Sequence, residues 1–534
     1  MFMSEDTAKK LDLDFVLDMV TVYTPYGKDL KKSMRPFTRD EKAGLMKELD
    51  RIAKIVELIE KQRYTFVEMR NYFKHMKDLR LTFKRVREES ILSTTELFEI
   101  KLFVSVLNKL SISLNKLKWD IPDDLNITSI SYLEELFDPQ KTGTNTFYIY
   151  DEYSENLARI RKEIREVDAE ISKERKKVKN QVEKDLNIKL RPNGEITINK
   201  TNSELIEKFR HYELLAYGVE TYMNITFKIK STSRIDKLSS KLEGLRSLEE
   251  EEEYKVRQYL SREINKYIEI IDKNIEAIAR LDLLIAKGYH AIGFKAVRPE
   301  ITDESRIYIQ EGRHIKVEQR LRQEGREFTP ITLDLNKGVT CITGANMGGK
   351  TVALRLIGML SAMAQYGMFV PAERMIFSLK DFIFFSMGDM QSTDMGLSTF
   401  GGEIVKIKEA IKRSDKKGLI LIDELARGTN PKEGYAISKA IINYLKEKET
   451  ITVITTHFDG LADDQKVKHL QVMGLSIEDF EQVSHPLHYY MDYRLREIKD
   501  VKEVPKDAIK ISRLMGLDEE ILKNAEEILK EGYR

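Results

Sequence analysis

The chain of 534 residues has one cysteine, Cys341, one tryptophan, Trp119, and only 11 prolines. A single thiol excludes a disulfide framework within the chain and suits a reducing compartment. Cys341 falls in a β-branched stretch, where a small buried hydrophobe is expected rather than a redox centre. No run of about 18 apolar residues occurs, so no membrane span is expected. Residues Met1–Asp14 are polar and mixed in charge, unlike a secretory leader. A cytoplasmic protein is the expectation. Neither sign of charge dominates: 89 Lys and Arg stand against 88 Asp and Glu, for a net +1. Global charge therefore makes no case for a polyanionic partner, and any basic surface has to be local. Scarce proline with 33% charged residues is the profile of long solvated helices. The length implies two to four domains.

What the chain does have is Gly344-Ala345-Asn346-Met347-Gly348-Gly349-Lys350-Thr351. It fits G-x-x-x-x-G-K-[ST], the loop that cradles nucleotide phosphates. Gly338–Thr343 before it reads as a buried strand, and Val352–Leu360 after it reads as a helix. Glycines let backbone N–H groups turn inward, and the helix start adds positive charge for a polyphosphate. Lys350 is placed to reach the β- and γ-phosphates of ATP, and Thr351 to offer its hydroxyl to Mg²⁺. Further on, Lys417–Glu424 is an apolar strand ending in two acids. Asp423 is placed to hold the Mg²⁺ shell, and Glu424 to orient and polarise the attacking water. Ile451–His457 is another strand, and its terminal His457 can meet the γ-phosphate or the water. Gly396–Gly402, followed by Glu403, is a small-residue helix start and hence an anion site. The phosphates already have a loop in cis, so this second site is expected to serve the γ-phosphate of another subunit.

The remainder is mostly helical in pattern. Residues 1 to about 130 read as helices, one beginning at Leu11–Leu17, with a turn at Tyr23–Lys28. Leu45, Leu49, Ile52, Ile55, Val56, Leu58 and Ile59 mark an apolar face. The aromatic and basic mix from Tyr64 to Arg87 reads as an amphipathic surface with snorkelling cations. Leu157, Ile160, Ile164, Val167 and Ile171 form a heptad seam, and a matching one runs from Ile264 to Ile285, with Gly288 as a candidate stop. Two such seams suggest an antiparallel pair of arms. Between them, Arg191–Ile198 and Asn224–Lys230 alternate as strands of a small tip. Lys173, Arg175, Lys176, Lys177 and Lys179 approach the tip; Lys189, Arg191, Lys228, Lys230 and Arg234 lie on it. They suit duplex phosphates, whereas Glu249–Glu253 would repel a duplex lying along that arm. From residue 291, Thr329–Leu335, Met368–Pro371 and Phe382–Ser386 read as strands of an α/β sheet.

Thr343–Thr351, Leu397–Phe400, Leu421–Thr429 and Thr455–His457 together resemble the MutS family of ABC-type ATPases, in the family order. The resemblance implies a multidomain fold. An all-α core (1–150) would carry antiparallel coiled-coil lever arms and a small β-containing clamp (151–290, tip about 185–235). An α/β P-loop ATPase domain (291–480) and a C-terminal helical dimerisation element (481–534) would follow. It implies ATP and Mg²⁺ as cofactors, a homodimer with composite sites, and DNA as partner. Ser398 looks like the signature serine that meets the partner's γ-phosphate, His457 like a γ-phosphate sensor, and Phe328 like the aromatic stacked on adenine. Asn346 would help bind phosphate. Gly428–Gly434 looks closest to the branch that lacks mismatch recognition. By this resemblance the chain is expected to start at the core domain, with neither a mismatch-reading domain before it nor a nuclease domain after it. Gly401 and Gly402 stand where larger residues are usual. Two functions follow. One is a dimeric ATPase clamp on duplex or branched DNA in repair or recombination. The other is a MutS-like ATPase that remodels a protein partner, such as a cobalamin-dependent aminomutase.

Overall fold

Helical spacing in the first residues becomes helix, with some changes at the ends. In a computed structural model that describes residues 1–344, 349–387, 399–426, 429–458, 460–475, 491–498 and 508–531, the helix Lys42–Lys61 buries Leu45, Leu49, Ile52, Ile55, Leu58 and Ile59. The helix expected at Leu11 is two, Glu5–Lys10 and Leu13–Asp18, broken at Asp12, whose φ is 55°. The turn expected at Tyr23–Lys28 is a helix start instead. Thr24 caps Pro25–Lys32 by accepting the Gly27 N–H at 2.8 Å, and Pro25 occupies the first turn, where its missing N–H is harmless. Asp282 fixes this start from another helix, accepting from the Thr24 amide (2.7 Å) and hydroxyl (2.8 Å). A Cβ on Gly27 would stand 2.5 Å from Asp282 Oδ2, so only glycine fits.

The chain divides into two compact units. One holds Met1–His75, Leu117–Leu125 and Glu276–Arg534; the other holds Met76–Lys116 and Asn126–Ile275. The expected divisions at 150 and 290 are not those of the compact units, because the early helices distribute between both.

In the second unit the outgoing arm is the helix Glu155–Leu186, which buries Leu157, Ile160, Val167 and Ile171. Its partner is the helix Ser233–Asn265, not the isoleucine seam at 264–285. Val167 and Ile171 pack on Leu245, flanked by Ile164, Leu238 and Leu242. Arg161 binds Glu249 at 2.7 Å and Glu253 at 2.6 Å near one end, and Val178 and Val182 cluster with Ile235 near the other, so the pair is antiparallel. Most of the isoleucine seam lies on a further helix, Ile268–Gly293. Gly288 does not stop that helix. It lets Ile55 approach, since a Cβ there would lie 2.7 Å from Ile55 Cγ2.

The tip between the arms is a three-stranded antiparallel sheet of β1 (Glu195–Asn199), β2 (Leu215–Glu220) and β3 (Asn224–Ile229), in the order β1-β3-β2. Ile225 and Phe227 point into its core beside Phe209, as their alternation implies.

From residue 300, strands dominate: β4 (Glu300–Thr302), β5 (Arg306–Gly312), β6 (Ile331–Asn336), β7 (Gly338–Thr343), β8 (Arg374–Ser378), β9 (Ile383–Met387), β10 (Leu419–Asp423), β11 (Ile451–Thr455), β12 (Val467–Leu475) and β13 (Met491–Glu497). A four-stranded sheet has the order β4-β8-β5-β6, and a six-stranded sheet β13-β12-β7-β11-β10-β9. The larger is parallel except at β13. Residues 368–371, expected as a strand, contribute only a bridge from Val370 to Val297. β7, β10 and β11 are buried at every position, as the inner strands of a parallel sheet must be. The sheet's carboxyl ends therefore sit on a rigid base.

Candidate functional site: a phosphate cradle at the sheet's carboxyl ends

β7 delivers the chain to Gly344, whose φ is 127°. A Cβ there would stand 3.1 Å from the Val472 carbonyl oxygen, so glycine is required both for conformation and for room. Ala345, Asn346, Met347 and Gly348 lie outside the described residues. Gly349, at φ 91°, opens the helix Lys350–Gln365. Lys350 is buried, and its Nζ donates to the Gly344 carbonyl at 2.7 Å. Burial pulls its pKa below the usual lysine value, while Glu424 and Asp423 act to raise it. The Lys350 ammonium thus lies within electrostatic reach of both acids.

Asp423 ends β10, and β11 stands between β10 and β7. The carboxylate still reaches the loop: Thr351 Oγ1 donates to Asp423 Oδ2 at 2.7 Å. Its other oxygen accepts from Thr455 Oγ1, on the intervening strand, at 2.6 Å. Thr455 also accepts the Glu424 N–H at 2.8 Å. Sequence reasoning gave Thr455 no role; a hydroxyl at the carboxyl end of an inner strand was the available signal. Glu424 and Ala426 adopt φ of 53° and 61°. Two non-glycine residues in the left-handed region within three positions mark a turn held by its surroundings, a feature of functional sites.

The paired Thr351 hydroxyl and Asp423 carboxylate are hard oxygen donors, which suits Mg²⁺. That ion takes one or two protein oxygens and completes its shell with water and substrate phosphates. Among the described residues there is no cluster of three or more His, Cys, Asp or Glu that could hold a metal ion.

His457 lies just past β11, exposed, with its ring 4.6 Å from that of Phe458. Ser398 lies outside the described residues; the helix after it is described from Thr399 to Ile411. Phe328 is half-buried and lines a cavity of about 620 Å³ with Gly349, Val352, Met491 and Tyr493. The cavity thus opens beside the first turn of the phosphate helix, and Phe328 and Tyr493 give it aromatic walls. Tyr493 carried no sequence signal, because β13 joins the site only through the sheet order.

Residues 340–532 match MutS domain V. Over those residues the chain is similar to the MutS family, and the similarity to MutS2 proteins extends over nearly all of it. Endonuclease MutS2 of Caldanaerobacter subterraneus subsp. tengcongensis is 28% identical over 533 residues, covering 98% of this chain and 64% of that protein. Endonuclease MutS2 of Halothermothrix orenii is 26% identical over 554 residues, covering 99% and 65%. DNA mismatch repair protein MutS of Aquifex pyrophilus is 28% identical over 339 residues, covering 63% and 37%. The chain thus spans 64 and 65% of the two MutS2 relatives. The mixed α/β unit described above is consistent with a MutS-family ATPase domain.

Proposed function

We propose that this chain is a MutS-like, Mg²⁺-dependent ATPase that works as a homodimer with composite sites and clamps duplex or branched DNA in repair or recombination. The observation that carries the ATPase reading is the Asp423 carboxylate held between Thr351 at 2.7 Å and Thr455 at 2.6 Å, with Lys350 facing it. Thr351 and Asp423 would hold Mg²⁺, which when bound neutralises and orients phosphate oxygens. Lys350 neutralises the β- and γ-phosphates. Glu424 orients water for attack on the γ-phosphorus and takes up its proton. The reaction is positioning plus charge neutralisation, yielding ADP and phosphate. Phe328 and Tyr493 would stack on the base. Ser398 and His457 would contact the γ-phosphate, Ser398 from the second subunit. The antiparallel helices 155–186 and 233–265 would act as lever arms, their sheeted tip as the clamp, and residues 508–531 within the dimerisation element.

The DNA reading is supported by the names of the relatives and by the tip, where Lys176, Lys177, Lys189, Arg191, Lys228, Lys230 and Arg234 are exposed. The acidic run that argued against DNA is partly neutralised within its own unit, since Arg161 takes Glu249 and Glu253 and Lys255 takes Glu252. That weakens one of the supports for a protein partner in place of DNA, while the near-zero net charge still stands. The test is fluorescence anisotropy with duplex, forked and four-way DNA, with and without a slowly hydrolysed ATP analogue. Affinity should fall at least about tenfold between roughly 50 and 200 mM salt if several phosphates are contacted. Absence of salt-sensitive binding to all three shapes, with ATP turnover intact, would refute the DNA reading and leave the ATPase reading standing.

A further inference from the structure

The tip carries apolar side chains that its fold does not use. Thr221 and Asn224 close the hairpin between β2 and β3. The Thr221 N–H donates to the Asn224 carbonyl at 2.8 Å, and the Asn224 N–H donates to Thr221 Oγ1 at 3.1 Å. The Lys200 N–H, just past β1, donates to the Met223 carbonyl at 2.8 Å, so the segment leaving β1 fastens the turn as well. Between these ties stand Tyr222, 96% exposed, and Met223, 61% exposed. Val219, on the edge strand β2, is 69% exposed. None of the three belongs to the tip's core, which is built around Phe209, Ile225 and Phe227. Short hairpin turns draw on glycine, asparagine and aspartate for their left-handed angles; neither Tyr222 nor Met223 has a positive φ. Three large apolar side chains held in water within five positions, on a turn whose backbone is already fastened, add nothing to folding and make a contact surface.

The charges nearby indicate what the contact is. Lys228, four residues past Asn224 on β3, and Lys230 are exposed, as are Lys189 and Arg191 ahead of β1. At about 3.3 Å per residue, Lys228 lies roughly 13 Å along the strand from the turn. The acid next to the turn in sequence, Glu220, is paired with Lys200 at 2.5 Å. A second copy of the tip would bring the same cations against these, so like charge disfavours self-association. A nucleic acid offers both things the surface lacks: flat π-faces for the aromatic ring and phosphates for the cations. In an intact duplex the bases cover one another, and only an unpaired base has a face free. We propose that Tyr222, with Met223 beside it, stacks on an unpaired base of branched DNA while the cations of the tip hold the flanking phosphates. The tip then recognises the branch as well as the backbone. The proposal rests on the DNA reading and names the DNA structure within it.

Fluorescence anisotropy on the full chain, with a blunt duplex and a fork of equal length at one salt concentration, tests it. Wild type should bind the fork about tenfold more tightly than the duplex, within what stacking on one base contributes. Tyr222→Ala should weaken fork binding about tenfold and keep duplex affinity within about twofold. Tyr222→Phe, which keeps the ring, should match wild type. The melting temperature of Tyr222→Ala should be unchanged, because the ring lies outside the core. A 2-aminopurine at the first unpaired position of the fork should lose fluorescence on binding wild type and keep it on binding Tyr222→Ala. Equal losses for fork and duplex in Tyr222→Ala, or fork affinity unchanged by it, would overturn the proposal. Unchanged fork affinity together with a dimer-to-monomer shift in sedimentation would assign the hairpin to a second copy instead. Wild type that binds fork and duplex equally would overturn the proposal and leave the DNA reading standing. Wild type that binds neither would overturn the DNA reading itself.

Discussion

Thr455 Oγ1 stands 2.6 Å from Asp423 Oδ1, so the strand between the phosphate loop and the acidic strand joins their chemistry. The same hydroxyl accepts the Glu424 amide. Thr455→Val keeps the β-branched shape and strands both partners. Unfolding in denaturant should show a loss of about 1–3 kcal/mol. The Mg²⁺ concentration giving half-maximal ATPase should rise several-fold, because Asp423 loses the contact that sets its rotamer. An unchanged Mg²⁺ requirement would show that Thr351 alone orients the carboxylate.

Glu424→Gln should bind ATP with near wild-type affinity and lose turnover by about 10² to 10⁴, the range for removing a general base. Equilibrium binding of labelled ATP and phosphate release measure the two effects separately. Ser398→Ala should bind ATP without hydrolysing it, and mixing it with Lys350→Ala should restore part of the activity, since one of the two composite sites in a mixed dimer is then intact. Strictly additive residual activities in the mixture would exclude a site completed in trans.

Phe328→Ala and Tyr493→Ala should each weaken ATP binding by about tenfold or more, given that stacking on a base contributes about 1–3 kcal/mol. Neither should alter the affinity for inorganic tripolyphosphate, which has no base to stack. Calorimetric titration with both ligands makes the comparison. Equal losses for the two ligands would place the base outside the cavity beside Gly349.

Acid should destabilise the first unit through its buried histidines. Burial pushes His290 down from 6.5 to about 4, and His314 likewise, with the Arg355 charge assisting. The unfolded chain takes up these protons near pH 6.5 and the folded chain only near 4. Stability is therefore full above about pH 6.5 and is lost as pH falls through 4, by about 3 kcal/mol for each histidine. His290 Nε2 has no hydrogen-bond partner, and its ring lies 4.8 Å from that of Phe294. His290→Leu should flatten the acid limb of a denaturation-midpoint series between pH 7 and 4. An identical limb in the variant would place the acid sensitivity elsewhere.

The strand and helix that flank the proposed phosphate site were legible because its parts are local. Gly344, Lys350 and Thr351 hold fixed spacing on one strand-loop-helix unit, and Asp423 closes an apolar run. What the sequence could not convey was lateral order. That β11 lies between β7 and β10, bringing Thr455 to Asp423, depends on which strands pair across a hundred residues. Tyr493 was hidden for the same reason. The arms show the opposite failure. The isoleucine seam at 264–285 has the stronger period, yet most of it lies on another helix. Leu238, Leu242 and Leu245, the residues that do face Val167 and Ile171, are diluted by charge and serine. Gly288 was read as a stop when its absent side chain serves a close approach by Ile55.

Cys341 lies fully buried on β7, and burial pushes its thiol up to about 12. Since it is the chain's single cysteine, the folded protein offers no sulfur to a maleimide. A cysteine placed at Tyr222, 96% exposed between β2 and β3, would be the sole reactive handle. Fluorophores or spin labels can thus be installed one at a time on the native sequence, without first removing a background thiol.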